Sequence, residues 1–155
     1  MSKRLGMRIA AGGLMLAGLE ACDLFGPSDP KARVSGISCT VNGEDAETRD
    51  YLISVEGSAQ GPVGSVLTPQ IGKGTGANDP NKFVENINAK FFTGWSFGDQ
   101  GDEIRRADGD TEGMSVSMSA ATSQTKPVVA MTVYAYFSLV ANGVTYYSEK
   151  TTTCQ

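Results

Sequence analysis

The sequence predicts an all-β protein, a single antiparallel β-sandwich of about seven strands, on three observations. Apolar and polar residues alternate in run after run, which at two residues per repeat gives each strand one face to bury and one to leave wet. Glycine makes up 19 of 155 residues, well above the norm of roughly 7%, as a turn-rich chain requires. An Asn-Gly pair separates two long alternating runs near the carboxyl end, a strong local hairpin signal.

The elements follow in order. Within Val34 to Val41, Ile37, Cys39 and Val41 alternate, and within Tyr51 to Val55 so do Tyr51, Ile53 and Val55; each set predicts one buried face. Val63 to Leu67 reads as a short strand between Gly/Pro-rich turns. The next segment is ambiguous. Asp79-Pro80 supplies a helix cap and a proline at the first helical position, and Phe83, Val84, Ile87 and Phe91 are spaced for one short helix near 80–90. Phe83, Ile87, Ala89 and Phe91 also alternate, and the asparagines there are poor helix formers, so a strand is the alternative. Phe91 to Phe97, around Gly94-Trp95, reads as a strand or strand corner. Met114, Val116 and Met118 alternate with Ser115, Ser117 and Ser119, giving a strand with one wet side.

The last hairpin joins Val128 to Val140 with Val144 to Thr153 through Asn142-Gly143, a pair suited to a type I′ turn. A two-residue turn pairs Ala141 with Val144, Leu139 with Tyr146, Phe137 with Ser148, Val133 with Thr152 and Met131 with Cys154. Met131, Val133, Ala135, Phe137 and Leu139 then share the core side with Tyr146 and Cys154.

The amino terminus carries a different signal. Lys3, Arg4 and Arg8 precede an apolar run from Ile9 to Leu19 that is shorter than the roughly 20 residues needed to span a bilayer, and then comes Leu19-Glu20-Ala21-Cys22. This end resembles the lipobox of bacterial lipoproteins, with Leu three positions before the cysteine and a small residue just before it; Glu20 departs from that pattern. The resemblance implies a signal peptide over 1–21, a palmitate-type lipid anchor on Cys22 and a tether over 22–32, which the prolines of Asp23 to Lys31 suit, followed by the folded domain over 33–155. Asp23, directly after the cysteine, matches the inner-membrane retention signal of enteric-type lipoproteins; the outer membrane is the other location the resemblance allows.

Three cysteines in an exported chain leave one odd thiol unless something consumes it, and acylation of Cys22 does so. Cys39 and Cys154 remain, in a compartment where disulfides persist, and a bridge between them is expected. Loss of residues 1–21 removes Lys3, Arg4, Arg8 and Glu20, so 13 basic and 17 acidic residues become 10 and 16, a net charge of −6. Such a chain lacks the basic face that nucleic-acid binding needs, and its contact with the membrane would be made by the lipid.

The length and the final hairpin give the folded part a broad resemblance to immunoglobulin-like domains. The Cys…Trp…Cys spacing of true immunoglobulin domains is absent, because Trp95 lies midway between cysteines at the two ends. A small closed barrel is the alternative architecture.

The absence of histidine excludes Ser-His-Asp and Cys-His catalysis and His-containing metal sites within this chain. No enzyme is expected; a glycosidase-like acid/base pair would need convergence among Glu44, Asp45, Glu47, Asp99, Asp102 and Asp108. Gly72-Lys73-Gly74-Thr75-Gly76 lacks the spacing and following helix of a phosphate-binding loop and reads as a flexible turn. No cofactor is expected, with calcium the one candidate: Asp108, Asp110 and Glu112 alternate like the start of a calcium loop, although position twelve is Ser119 and Arg105 and Arg106 partly neutralise the segment. Tyr134, Tyr136 and Tyr147 fall on the outer face of the last hairpin among hydroxyl side chains, a candidate contact surface. The expectation is a lipid-anchored envelope protein that binds another envelope protein or a glycan; the alternative is a structural spacer or assembly subunit of an envelope or secretion complex.

Overall fold

A computed structural model describes residues 29–76, 85–90, 94–99, 103–108 and 112–155. Among the described residues nine strands form: β1 (Lys31–Glu44), β2 (Thr48–Gln60), β3 (Val66–Lys73), β4 (Glu85–Lys90), β5 (Trp95–Phe97), β6 (Ile104–Arg106), β7 (Gly113–Thr125), β8 (Met131–Ala141) and β9 (Val144–Cys154). They build two antiparallel sheets, β1-β2-β7-β4 and β5-β6-β3-β8-β9. The first sheet packed on β3-β8-β9 is the four-on-three strand order of the immunoglobulin-like sandwich, and the β5–β6 hairpin extends the second sheet beyond the expected seven strands.

The expected registers hold where alternation was clean. Asn142 and Gly143 both have positive φ, 52° and 75°, as a type I′ turn requires, and β8 pairs with β9 from Ala141↔Val144 through Met131↔Cys154. Val133, Ala135, Phe137 and Leu139 are fully buried and face Tyr51, Ile53 and Val55 of β2 and Met114, Val116 and Met118 of β7 across the sandwich. Each such aliphatic or aromatic side chain removed from water contributes roughly 1.5–3 kcal/mol. Gly57 sits on that inner face because a Cβ there would overlap the Phe137 ring and the Arg33 carbonyl.

Several expectations are corrected. The segment with rival readings forms a strand over Glu85–Lys90, paired with β7 from Glu85↔Ala120 to Lys90↔Ser115, so the short helix near 80–90 is not formed over those residues. Its backbone groups join a ladder that β7 already offers, while asparagine gives little support to the competing helix. Residues 77–84, with Phe83, and 91–93, with Phe91, lie outside the described residues. The strand expected over 63–67 instead begins at Val66 and runs to Lys73, because Pro62 to Gly64 makes the turn, with Gly64 at φ 92° and Val63 exposed. Pro69 is tolerated within β3 for a geometric reason. The Ser65 carbonyl accepts from Arg106 N–H on the β6 side, so by alternation residue 69 also points that way, where β6 pairing ends at Leu67.

Val41 is exposed, not buried with Ile37 and Cys39. The irregularity between Val34 and Gly36 changes which residues face inward along β1, whereas from Ile37 to Val41 the register is unbroken and Val41 keeps the face of Ile37 and Cys39, opposite Tyr51. Between Asp99 and Glu112 lies β6, where Ile104 and Arg106 are buried and Arg106 Nη1 donates to the Gly61 carbonyl at 2.5 Å.

The open seam of the sandwich is closed between the edge strands β1 and β9. Cys39 and Cys154 form a disulfide there, with Cα atoms 5.3 Å apart. Ser148 Oγ accepts from Val34 N–H at 3.0 Å, and Lys150 Nζ donates to the Ser35 carbonyl at 2.9 Å. The cysteines thus tie the sheets edge to edge, unlike the central bridge of antibody domains.

Candidate functional site

The outer face of β3-β8-β9 carries the tyrosines. Two-residue alternation and the observed register place Gln70, Tyr136 and Glu149 in one row across the three strands, with Thr68, Ser138 and Tyr147 in the next. Tyr136 and Tyr147 are diagonal neighbours and stack, with ring centroids 5.9 Å apart and planes inclined by 23°. Tyr147 is 68% exposed, so the ring is ordered by its neighbour yet open to solvent.

Tyr134 is different. It shares the face but is fully buried, which removes it from the expected contact surface. Its partner across the ladder is Gly72, and a Cβ on Gly72 would collide with the Tyr134 ring. From that position Tyr134 Oη accepts a hydrogen bond from Gln70 Nε2. Gln70 is a member of this face that sequence reasoning missed. The expected strand stopped at Leu67, so β3 was never aligned with β8; reading alternation through Pro69 to Ile71 would have found it.

A second constellation occupies the end of the sandwich where the β1–β2 turn meets the segment from Lys126 to Ala130. Glu44 Oε1 bridges Arg49 Nη2 at 2.8 Å and Lys126 Nζ at 2.9 Å, and these contacts, Lys126 first, hold its carboxyl below the usual carboxylate range. Asp45 is lowered as well, because its carboxylate accepts from the backbone N–H groups of Thr48, at 2.7 Å, and Glu47, at 2.8 Å. Arg49 is raised, chiefly by Glu44 and then by the Tyr51 hydroxyl, which lies beside it without a hydrogen bond of ordinary geometry. Two open clefts flank this segment, about 480 Å³ against Glu44, Arg49 and Gln155 and about 520 Å³ against Lys73, Thr75 and Gln124. Exposed Val129 stands between them.

Among the described residues, the carboxylates named for an acid/base pair do not gather into one site. Glu44, Asp45 and Glu47 lie at the end where β8 begins, whereas β6 pairs with the start of β3, which lies against the end of β8, so Asp99 and Asp108 flank the opposite end. Glu44 and Asp45 are stabilised as anions, the wrong state for a general acid. Asp102 and Asp110 lie outside the described residues, as do Cys22 and all of 1–28. Of the expected calcium ligands, Asp108 follows β6, and Glu112 precedes β7 with its backbone carbonyl accepting from Gly61 N–H at 2.9 Å. Among the described residues no three acidic or cysteine side chains come together as metal ligands. In the glycine-rich stretch, Gly72 and Lys73 belong to β3, and Gly74 N–H donates to the Thr132 carbonyl at 2.9 Å as the chain leaves the sheet.

No protein-family model matches the chain, and no curated protein does. Among solved structures it is similar to the human F-spondin reeler domain, at 12% identity over 81% of this chain and 95% of that one, with a TM-score of 0.38. It is also similar to AggA, the major subunit of aggregative adherence fimbriae type I from Escherichia coli, at 13% identity over 83% and 94%, with a TM-score of 0.29. A third likeness is to the GAE domain of GGA2p from Saccharomyces cerevisiae, at 8% identity over 76% and 98%, with a TM-score of 0.26. Likeness at this level carries no functional information.

Proposed function

We propose that this chain is an exported lipoprotein, acylated on Cys22 and held at a bacterial membrane of the cell envelope, whose sandwich binds another envelope protein or a glycan without catalysing a reaction. The observation that carries the binding reading is the Tyr136–Tyr147 stack, an aromatic pair on the outer face of the sheet whose Tyr147 ring is open to solvent. Aromatic rings with a polar tip supply contact area at little cost in conformational freedom, and they are enriched where proteins meet partners. The anchoring reading rests on the basic start, the short apolar run and Leu19-Glu20-Ala21-Cys22.

Expression in a bacterial host followed by mass spectrometry of the amino-terminal peptide tests the anchor. A fatty-acylated Cys22 at the new amino terminus is expected, with loss of membrane association in Cys22→Ala. A product that keeps Met1 and carries no lipid would end the anchoring reading. Crosslinking in intact envelopes tests the binding reading, which requires a partner whose yield falls in Tyr147→Ala. Self-association through the same face, with no other partner, would favour a structural subunit instead.

A further inference from the structure

Resting on the anchoring reading above, we infer that the sandwich stands end-on to the bilayer: the end with Val63 and the Asn142-Gly143 turn rests against a zwitterionic headgroup layer, and Val129 lies at the end turned away. The argument begins with where the chain enters the fold. Lys31 opens β1 opposite Gln60, the last residue of β2, and Gln60 Nε2 donates to the Asp29 carbonyl at 2.9 Å. From Gln60 the chain turns through Pro62 to Gly64 into β3, whose first residue, Val66, pairs with Val140 just before Asn142-Gly143. The point of entry, Val63 and the β8–β9 turn therefore share one end of the sandwich. Val129 lies at the other, where β8 begins opposite the end of β3.

Length decides which end faces the lipid. Cys22 and Asp29 are seven positions apart, so whatever path joins them they are separated by at most about 25 Å. The 14 residues of β1 alone extend roughly 40 Å. Aiming Val129 and the β1–β2 turn at the bilayer would sink that end beneath the headgroups beside which the acylated cysteine is held. Lying on a sheet face is the other arrangement such a tether permits, and surface chemistry opposes it. On the outer face of β1-β2-β7, Ser54, Glu56, Ser117 and Ser119 alternate with buried Ile53, Val55, Val116 and Met118; against lipid they would lose hydration and bring no apolar area in exchange. The outer face of β3-β8-β9 sets Gln70 and Glu149 in the row beside Tyr147. At the entry end the exposed side chains include Val63, 57% accessible, and Val144, 50% accessible.

Charge selects the kind of lipid. At the element ends here Lys31 and buried Arg106 are basic and Asp29, Asp108 and Glu112 are acidic, while Arg105 is paired with Glu103 at 2.5 Å. With a net charge of −6 after processing, the domain is repelled by an anionic surface and not by a zwitterionic one. Two valines are too small a contact to hold a protein at a membrane unaided. A contact within reach of the tether is intramolecular, however, and is met at high effective concentration. The acyl chains supply the attachment, and the valines select the orientation.

The test uses the full acylated chain in phosphatidylcholine vesicles. A fluorophore is placed in turn through Val63→Cys, Val144→Cys, Val129→Cys, Glu56→Cys and Thr151→Cys, the last two on the outer faces of the two sheets, and is quenched by a nitroxide on the lipid headgroup. Fluorescence at positions 63 and 144 should fall about twofold or more, because interfacial side chains lie within roughly 5–10 Å of the headgroup boundary, and should change little at the other three. Val63→Asp should lessen quenching at position 144 while vesicle flotation, which reads the acyl anchor, is unchanged; adding phosphatidylglycerol should lessen it as well. Thermal melts establish that each variant folds, and the separate label positions keep the test decisive should one variant fail. Equal quenching at positions 63 and 129, quenching at 56 or 151 as strong as at 63 and 144, or stronger quenching on the anionic vesicles overturns the inference. If mass spectrometry shows Cys22 acylated in that protein, the anchoring reading still stands. Protein that is not acylated on Cys22 overturns both.

Discussion

Reducing the Cys39–Cys154 bridge should remove a large share of this domain's stability. The bridge closes a sequence separation of 115 residues, nearly the whole folded part of the chain. In the chain-entropy treatment a loop of that length limits the unfolded ensemble by about 5 kcal/mol at 25 °C. Domains of this size are stable by only about 5–15 kcal/mol in total, so the reduced protein should lie near the margin of folding. Reduction is a cleaner perturbation than truncation here, because Cys154 is fully buried and alanine would add a cavity to the loss of the bond. Urea unfolding of Cys22→Ala protein, with and without reductant, is the assay. The midpoint should fall, and the slope of free energy against urea should rise, because the unfolded chain expands once its ends are released. A loss below about 1 kcal/mol with an unchanged slope would refute the reasoning, since it would mean that the reduced unfolded chain is already as compact as the bridged one.

Gly57→Ala should destabilise the fold by about 1–3 kcal/mol through overpacking against the Phe137 ring, read from a melting curve; an unchanged curve would mean that the two sheets can shift apart freely. Gly143→Ala should cost about 1–2 kcal/mol at the positive-φ turn position, although no side chain stands nearby to clash. Acid should weaken the β1–β2 turn. Glu44 and Asp45 have folded-state pKa values lowered below the ordinary carboxylate range near about 4, so their contribution is complete above that range and is lost as pH falls through the lowered values. Melting temperature followed downward in pH should therefore drop less steeply in Glu44→Gln, and added salt should shrink the difference because these side chains are exposed.

The parts legible in the sequence were those where one local signal sets the geometry. Asn142-Gly143 fixed both the turn and, through the two-residue period, the face of every side chain from Met131 to Cys154. Alternation likewise placed Tyr51, Ile53 and Val55 and Met114, Val116 and Met118 in the core. The failures share a cause, because each depends on an interruption of that period or on a neighbour distant in sequence. A proline hides the continuation of β3, and β6 has only Ile104 as an apolar mark. The setting of Tyr134 was invisible for the same reason: its ring lies against Gly72, 62 residues earlier, which meets it only once β3 and β8 are paired.

The final hairpin joins these consequences in one element. Its inner face contributes Phe137 and Leu139 to the core and ends in the disulfide to β1, while its outer face holds the tyrosine stack. β9 is an edge strand, with β8 on one side, and an edge held by a single ladder is free to twist. The bridge at Cys154, the Ser148–Val34 bond and the Lys150–Ser35 bond fix its other flank to β1. Tyr147 lies next to Ser148, so the contact that clamps the edge also sets the position from which the ring meets Tyr136. If the proposed tether pulls on the chain, the load enters at β1 and reaches β9 through this seam. The seam therefore supports the candidate binding face mechanically, and reduction of the bridge should loosen the Tyr136–Tyr147 stack before the sandwich itself unfolds.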